Sequence, residues 1–170
     1  MHFLRRPSAE EILQETKIAM FFSKPTEYAI RAMIYLSIHA SENKKLGLKQ
    51  IASDLGFPEH YLGKVLQDLS KRNLIQSAKG PHGGFYMTEK DMDISLLSLI
   101  DALEGLQFFN TCGLGLHECN EEKPCPIHKE YQIVKGNYYK LLAQKTIRSM
   151  RHDIENEIAF MDFVYHPEKD

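Results

Sequence analysis

Cys112, Cys119 and Cys125 are the only thiols in the 170-residue chain, and His128 follows the last of them by three positions. The run Cys112-GLGLHE-Cys119-NEEKP-Cys125-PI-His128 is punctuated by glycine and proline, so it reads as a loop. Three thiols and an imidazole make a closed set of soft, four-coordinate metal ligands. On spacing alone zinc is as good an occupant as iron. An odd number of cysteines within 14 residues argues for ligation over a disulfide framework.

The loop needs elements on either side to bring its ligands together. The apolar fraction is 43%, ordinary for a globular chain, and the net charge of −2 names no partner. The distribution of charge says more. Lys44 to Lys90 holds eight bases against four acids, whereas Arg151 to Asp170 holds six acids against two bases. A basic module beside an acidic tail favours an anionic partner for the module. No run approaches the ~20 apolar residues of a membrane span, and the first residues lack the pattern of a secretory signal. The expected compartment is therefore the cytoplasm, where thiols stay reduced, with no membrane partner.

Residues 1–19 form a polar extension with one amphipathic stretch, Glu10 to Ile18. It reads either as a helical arm or as an upstream start ahead of Met20. Thr26 is the expected cap of a helix running to about Ser41, with Ala29, Ile30, Met33, Tyr35 and Leu36 as its apolar stripe. Leu48 to Leu55 is a short amphipathic helix closed by Gly56, which suits the positive φ of a tight turn. A second helix opens at Pro58-Glu59 and buries Tyr61, Leu62, Val65, Leu66 and Leu69. It presents Glu59, His60, Tyr61, Lys64 and Gln67, while Lys49 lies on the helix before it. That is the helix-turn-helix layout, and an ordinary helical hairpin is the plainer alternative.

The next segment separates the two. Leu74–Ala78 and Phe85–Thr88 flank a glycine-rich tip carrying Lys79 and His82, which makes a β-hairpin. A basic hairpin after a recognition helix is a wing, able to reach flanking phosphates or the minor groove. Gly80, Gly83 and Gly84 could instead cradle a phosphate, but no Walker or dinucleotide pattern accompanies them. Asp93 is the expected cap of an apolar helix from Ile94 to Glu104. After His128, Tyr131, Val134, Tyr138, Leu141 and Leu142 recur at helical spacing, with Gly136 weakening the helix by about 1 kcal/mol. Thr146 caps a last helix expected to run from Ile147 to about Phe163. The long helix carries more apolar surface than a small domain covers, which suggests a dimer.

Taken in order, Tyr28-Ala29-Ile30-Arg31-Ala32, Ile51-Ala52, Tyr61-Leu62, Lys79-Gly80-Pro81-His82-Gly83-Gly84-Phe85 and the cysteine loop resemble the Rrf-two family of bacterial transcription regulators. The resemblance runs from about Met20 to about Glu157. It implies a homodimer with crossing long helices, placing two winged helices on a palindromic operator in double-stranded DNA. By position, Tyr61, Lys64 and Lys79 match the family's DNA-contacting residues. Gly63 stands where IscR-like members carry a specificity-setting glutamate, so the operator sequence is not carried over. Cys112, Cys119 and Cys125 match the family's iron–sulfur ligands, although the first spacing is longer than in its IscR-like and NsrR-like branches. His128 matches the fourth ligand of members holding a two-iron, two-sulfur cluster. Glu27 aligns with a carboxylate that some NsrR-like members supply from the opposite subunit.

The resulting expectation is a mainly α protein with a small β-hairpin wing. It comprises an extension (1–19), a winged helix-turn-helix domain (20–105), a cluster-binding loop (106–128), dimerisation helices (129–165) and a tail (166–170). The expected function is sequence-specific DNA binding modulated by an iron–sulfur cluster, through redox, nitric oxide or cluster supply. The candidate DNA-binding residues are Lys49, Glu59, His60, Tyr61, Lys64, Lys79 and His82. A two-iron, two-sulfur cluster ranks ahead of a four-iron, four-sulfur one, and zinc behind both. The alternative is a clusterless regulator of the same fold, controlled by a partner protein or small metabolite, with the cysteines structural or zinc-binding. No catalytic dyad or nucleotide fingerprint supports an enzyme.

Overall fold

A computed structural model describes residues 22–116 and 121–163. The extension at 1–19, Cys119 and the tail at 166–170 lie outside the described residues.

Helix α1, Lys24–His39, is the centre of the core. Ala29, Ala32, Met33 and Leu36 are fully buried along it, and it packs against the helices Leu48–Leu55, Glu59–Lys71, Leu96–Glu104 and Ile147–Glu155. Its cap is Ser23, not Thr26. Ser23 has the extended backbone a cap requires and accepts the N–H of Thr26, with Pro25 in the first turn. Thr26 is fully buried, and its hydroxyl donates to Glu104 at 3.2 Å.

Helices α2 (Leu48–Leu55) and α3 (Glu59–Lys71) form the helix-turn-helix. Gly56 closes α2 in the left-handed region at φ 66°, as a residue without Cβ can. Pro58 is the residue before α3 and leaves Glu59 to open its first turn. The wing pairs β1 (Gln76–Ala78) with β2 (Gly84–Tyr86), placing Ser77 opposite Phe85. Both strands are shorter than the sequence suggests, and Asn73 turns left-handed at φ 58° between α3 and the hairpin. Leu46 and Phe85 exchange two backbone hydrogen bonds at 3.0 and 2.8 Å, so the segment before α2 lies along the hairpin. At Gly84, φ 150°, a Cβ would fall 2.4 Å from the Leu46 carbonyl oxygen.

Helix α4, Leu96–Glu104, is capped by Ser95, whose hydroxyl accepts the Ser98 N–H at 3.1 Å. The expected cap, Asp93, sits instead in a 3-10 turn, Asp91–Asp93, and binds Arg148 at 2.7 Å. Ser95 wins the cap because its extended backbone bridges Thr146. Helix α5, His128–Gln144, runs unbroken through Gly136. Helix α6, Ile147–Glu155, starts at Thr146 in a capping box with Ser149. It ends eight residues before Phe163, because Glu157 adopts a left-handed φ of 57°. The chain then returns to α1, where Arg31 donates to the carbonyls of Asp162 and Phe163 at 3.0 and 2.7 Å. Among the described residues no helix is long and apolar enough to cross a membrane.

Candidate functional site

The exposed face of α3 is built on an aromatic stack beneath it. Tyr28 of α1 lies flat on Phe57 with ring centres 3.8 Å apart, and Tyr61 meets Tyr28 edge-on at 5.1 Å. Offset and edge-on pairs add to the burial they accompany. This stack fixes the start of α3 against α1. The Arg31 guanidinium lies 5.1 Å from the Phe57 ring, completing the support. The Tyr35 hydroxyl donates to Asp54 and ties α1 to α2. Burial, reinforced by the Asp54 carboxylate, pushes that phenol well above its usual range.

On this support Glu59, His60, Tyr61 and Lys64 are all exposed, as is Lys49 on α2. An open cleft between the helices is lined by Leu48, Glu59, His60, Gly63, Lys64 and Gln67. Gly63 is buried at the crossing, where a Cβ would sit 3.1 Å from Leu48 Cδ2. Its absent side chain therefore leaves the cleft floor to the Leu48 methyl groups. Lys79 and His82 are exposed at the wing tip. The tip holds its shape through Gly83, where a Cβ would strike the Ala78 carbonyl at 2.3 Å. The seven residues expected to meet DNA thus lie on the helix-turn-helix and its wing.

The cysteine loop sits at the start of α5. Cys112 is buried, and its Sγ lies 3.8 Å from Cys125 Sγ, both thiols being free. With metal–sulfur bonds of about 2.3 Å, two corners of a tetrahedral thiolate site stand about 3.8 Å apart. The pair therefore fits a shared thiolate centre. The backbone N–H of Leu114 lowers the Cys112 thiol below its ordinary value against the opposing effect of burial; the Leu116 N–H, Cys125 and the Lys135 charge add to this. His128 opens α5, and its N–H donates to the Cys125 carbonyl at 3.0 Å. Its place one turn beyond Cys125 is thus fixed by the backbone. Cys119 lies outside the described residues, and among those described no group of three or more His, Cys, Asp or Glu converges as a metal site. Glu27 is three-residue neighbour to Lys24, which it binds at 3.0 Å in the first turn of α1.

One residue here had no signal in the sequence. Lys135 reads as a solvent-facing helix residue, yet it is only 3% exposed. Its ammonium donates to the Phe109 and Thr111 carbonyls at 3.0 and 3.2 Å and lies 5.0 Å from the centre of the Tyr131 ring. Phe109 also packs on Tyr138 and Tyr139, with ring centres 5.8 and 5.3 Å away. These contacts hold the segment before Cys112 to α5. Burial raises the Tyr138 phenol, and the Glu104 charge adds to this.

The family model Rrf2, described as an iron-dependent transcriptional regulator, matches residues 22–153. The HTH-type transcriptional regulator NsrR of Geobacillus kaustophilus is 29% identical over 129 residues, covering 75% of this chain and 87% of that protein. Among solved structures, IscR of T. potens superposes with a TM-score of 0.63 at 24% identity, covering 84% of this chain and 94% of its own. CymR, the global cysteine regulator of B. subtilis, superposes with a TM-score of 0.62 at 22% identity, covering 77% and 95%. Likeness at this identity carries the fold, a helix-turn-helix with a two-stranded wing.

Proposed function

This chain belongs to the Rrf2 family of transcriptional regulators, and from that premise we propose that an iron–sulfur cluster in its cysteine loop governs its binding to an operator. The observation that carries the reading is the pair of sulfurs, Cys112 and Cys125, 3.8 Å apart at the start of α5. The relatives of this chain regulate transcription, and none of this reading involves an enzyme.

Cys112, Cys119, Cys125 and His128 are the proposed ligands, a donor set that suits a two-iron, two-sulfur cluster ahead of a four-iron one. Glu27 is the alternative fourth ligand, supplied from the other subunit of a homodimer. When bound, the cluster supplies a group at this loop that can be oxidised, nitrosylated or lost. The chain supplies the coupling. Cys125 and His128 bracket the turn that leads into α5, so the loop's arrangement sets where that helix begins. At the other end, the loop leads back to Glu104, which accepts from the Ser23 N–H at 3.3 Å and the Thr26 hydroxyl at 3.2 Å. Those groups open α1, and α1 carries Tyr28 under the recognition helix. A loop with two arrangements, biased by its occupant, would shift the two recognition helices of a dimer against a palindromic operator.

Anaerobic purification, visible absorption and iron and sulfide analysis test the reading, with gel-shift titration of a DNA duplex from the protein's own promoter beside them. A protein that stays colourless after anaerobic reconstitution while still shifting DNA would remove the cluster and keep the regulator. That outcome is the second reading, a clusterless regulator answering to a partner protein or metabolite. For the fourth ligand, His128→Ala is expected to alter the cluster spectrum and Glu27→Ala to leave it unchanged; the reverse would give the place to Glu27.

A further inference from the structure

We infer that Lys135 is a positioning residue for the metal-binding loop, holding Cys112 in ligating geometry through a stack of Gly113, the Tyr131 ring and its own ammonium. The inference rests on the reading of the loop as a metal site and adds to it a residue outside the ligand set.

The geometry is built from three parts. The Lys135 ammonium donates to two consecutive odd-numbered carbonyls, those of Phe109 and Thr111, at 3.0 and 3.2 Å. Thr111 is bonded directly to Cys112, so the second of these contacts fixes the peptide that carries the first ligand. The Tyr131 ring lies beside the ammonium, which is 5.0 Å from its centre. On the loop side the ring abuts Gly113, where a Cβ would fall 2.9 Å from the Tyr131 ring carbon Cζ. Tyr131 and Lys135 are one helical turn apart on α5, so a single rigid face meets the loop on both sides of Cys112.

Chemistry explains why a lysine occupies this seat. A charged group is buried at a cost unless its donors are satisfied, and main-chain carbonyls and an aromatic face supply partners here. A thiolate at Cys112 brings negative charge to a buried position, and a buried ammonium nearby offsets it. Groups that orient the ligands of a metal without touching it commonly change its affinity by about 10–100-fold when removed.

The test titrates cobalt(II) alone into reduced, metal-free protein under nitrogen, reading the thiolate-to-cobalt absorption band, with zinc(II) competition for affinity. Wild-type protein is expected to develop the band. Lys135→Met, which keeps length but not donors, is expected to bind about 10–100-fold more weakly, with the same helical content and faster amide exchange over residues 109–116. Gly113→Ala, which displaces the ring without altering α5, is expected to weaken binding in the same direction and serves if Lys135→Met fails to fold. Wild-type affinity in either folded variant overturns the role of Lys135 and leaves the metal site standing. Failure of wild-type protein to bind cobalt overturns both the metal reading and this inference.

Discussion

Lys64 stands on the exposed face of α3, where none of the described residues pairs with its charge, so its effect belongs to the partner. If it meets phosphate, Lys64→Ala should weaken specific and non-specific DNA alike and reduce the slope of log affinity against log salt by about one. A slope that does not change would place Lys64 away from the backbone. Gly84 is the opposite case, a residue set by the fold alone. Its φ of 150° and the 2.4 Å approach to the Leu46 carbonyl leave no room for a side chain. Gly84→Ala is expected to destabilise the protein by about 1–3 kcal/mol in denaturant unfolding, and to do so with or without metal.

Helix α6 is held to the winged half by charge as well as by Ile147, which is fully buried. Arg148 binds Asp93 at 2.7 Å and Glu89 at 2.8 Å, while Lys145, at the end of α5, binds Asp153 of α6 at 2.7 Å. The Arg148 hydrogen bond holds the Asp93 carboxyl below its ordinary value of 3.8, and that of Lys145 does the same for Asp153. A carboxylate whose folded value is depressed contributes stability that is complete above the unfolded value. That contribution disappears as pH falls below 3.8 and through the lower folded value. Thermal melts should therefore lose this support only below about pH 4, where ordinary aspartates protonate. Arg148→Ala should make the acid limb shallower without changing neutral-pH helix content. Arg148, Glu89 and Asp93 are exposed, so the effect is modest. A limb of unchanged steepness would assign acid sensitivity to other carboxylates.

At the scale of the whole molecule, α5 leaves a run of large apolar residues uncovered. Leu142 is buried, but Ile133, Val134 and Leu141 are 58%, 60% and 52% exposed. Exposed apolar residues grouped on one helix mark an interaction surface, and the proposed homodimer places a second copy of α5 there. Val134→Glu is expected to halve the mass seen by light scattering and to weaken operator binding by more than about tenfold, because two half-sites are no longer read together. The winged domain should melt as before. A dimer of unchanged mass would move the interface elsewhere.

Much of this was legible in sequence because the signals are local. Gly56 ends one amphipathic run and Pro58-Glu59 opens the next, so the two helices follow from turn chemistry and periodicity, and the glycine-rich hairpin after them separates a helix-turn-helix from a plain helical hairpin. Gly80, Gly83 and Gly84 mark the wing tip because close backbone approaches exclude side chains, as the structure finds at Gly83 and Gly84. Cysteine and histidine types by themselves name a soft ligand set. What depends on distant neighbours was not legible. Thr26 and Asp93 have the chemistry of helix caps, but Ser23 and Ser95 hold those places. Glu104 draws the Thr26 hydroxyl inward, and Arg148 holds Asp93. The end of α6 at Glu155 was hidden for the same reason, since Arg31, far away in sequence, receives the chain that follows. Lys135 is the clearest instance. Nothing in its neighbours along the helix marks it, and only the packing of α5 against the loop makes a lysine a buried group beside Cys112. Sequence determined which chemistry is available and which segments form helices and turns, because those depend on residues a turn or two apart. Tertiary structure alone decided which polar groups are drawn inside, because desolvation and hydrogen bonding are settled between elements that meet only after folding.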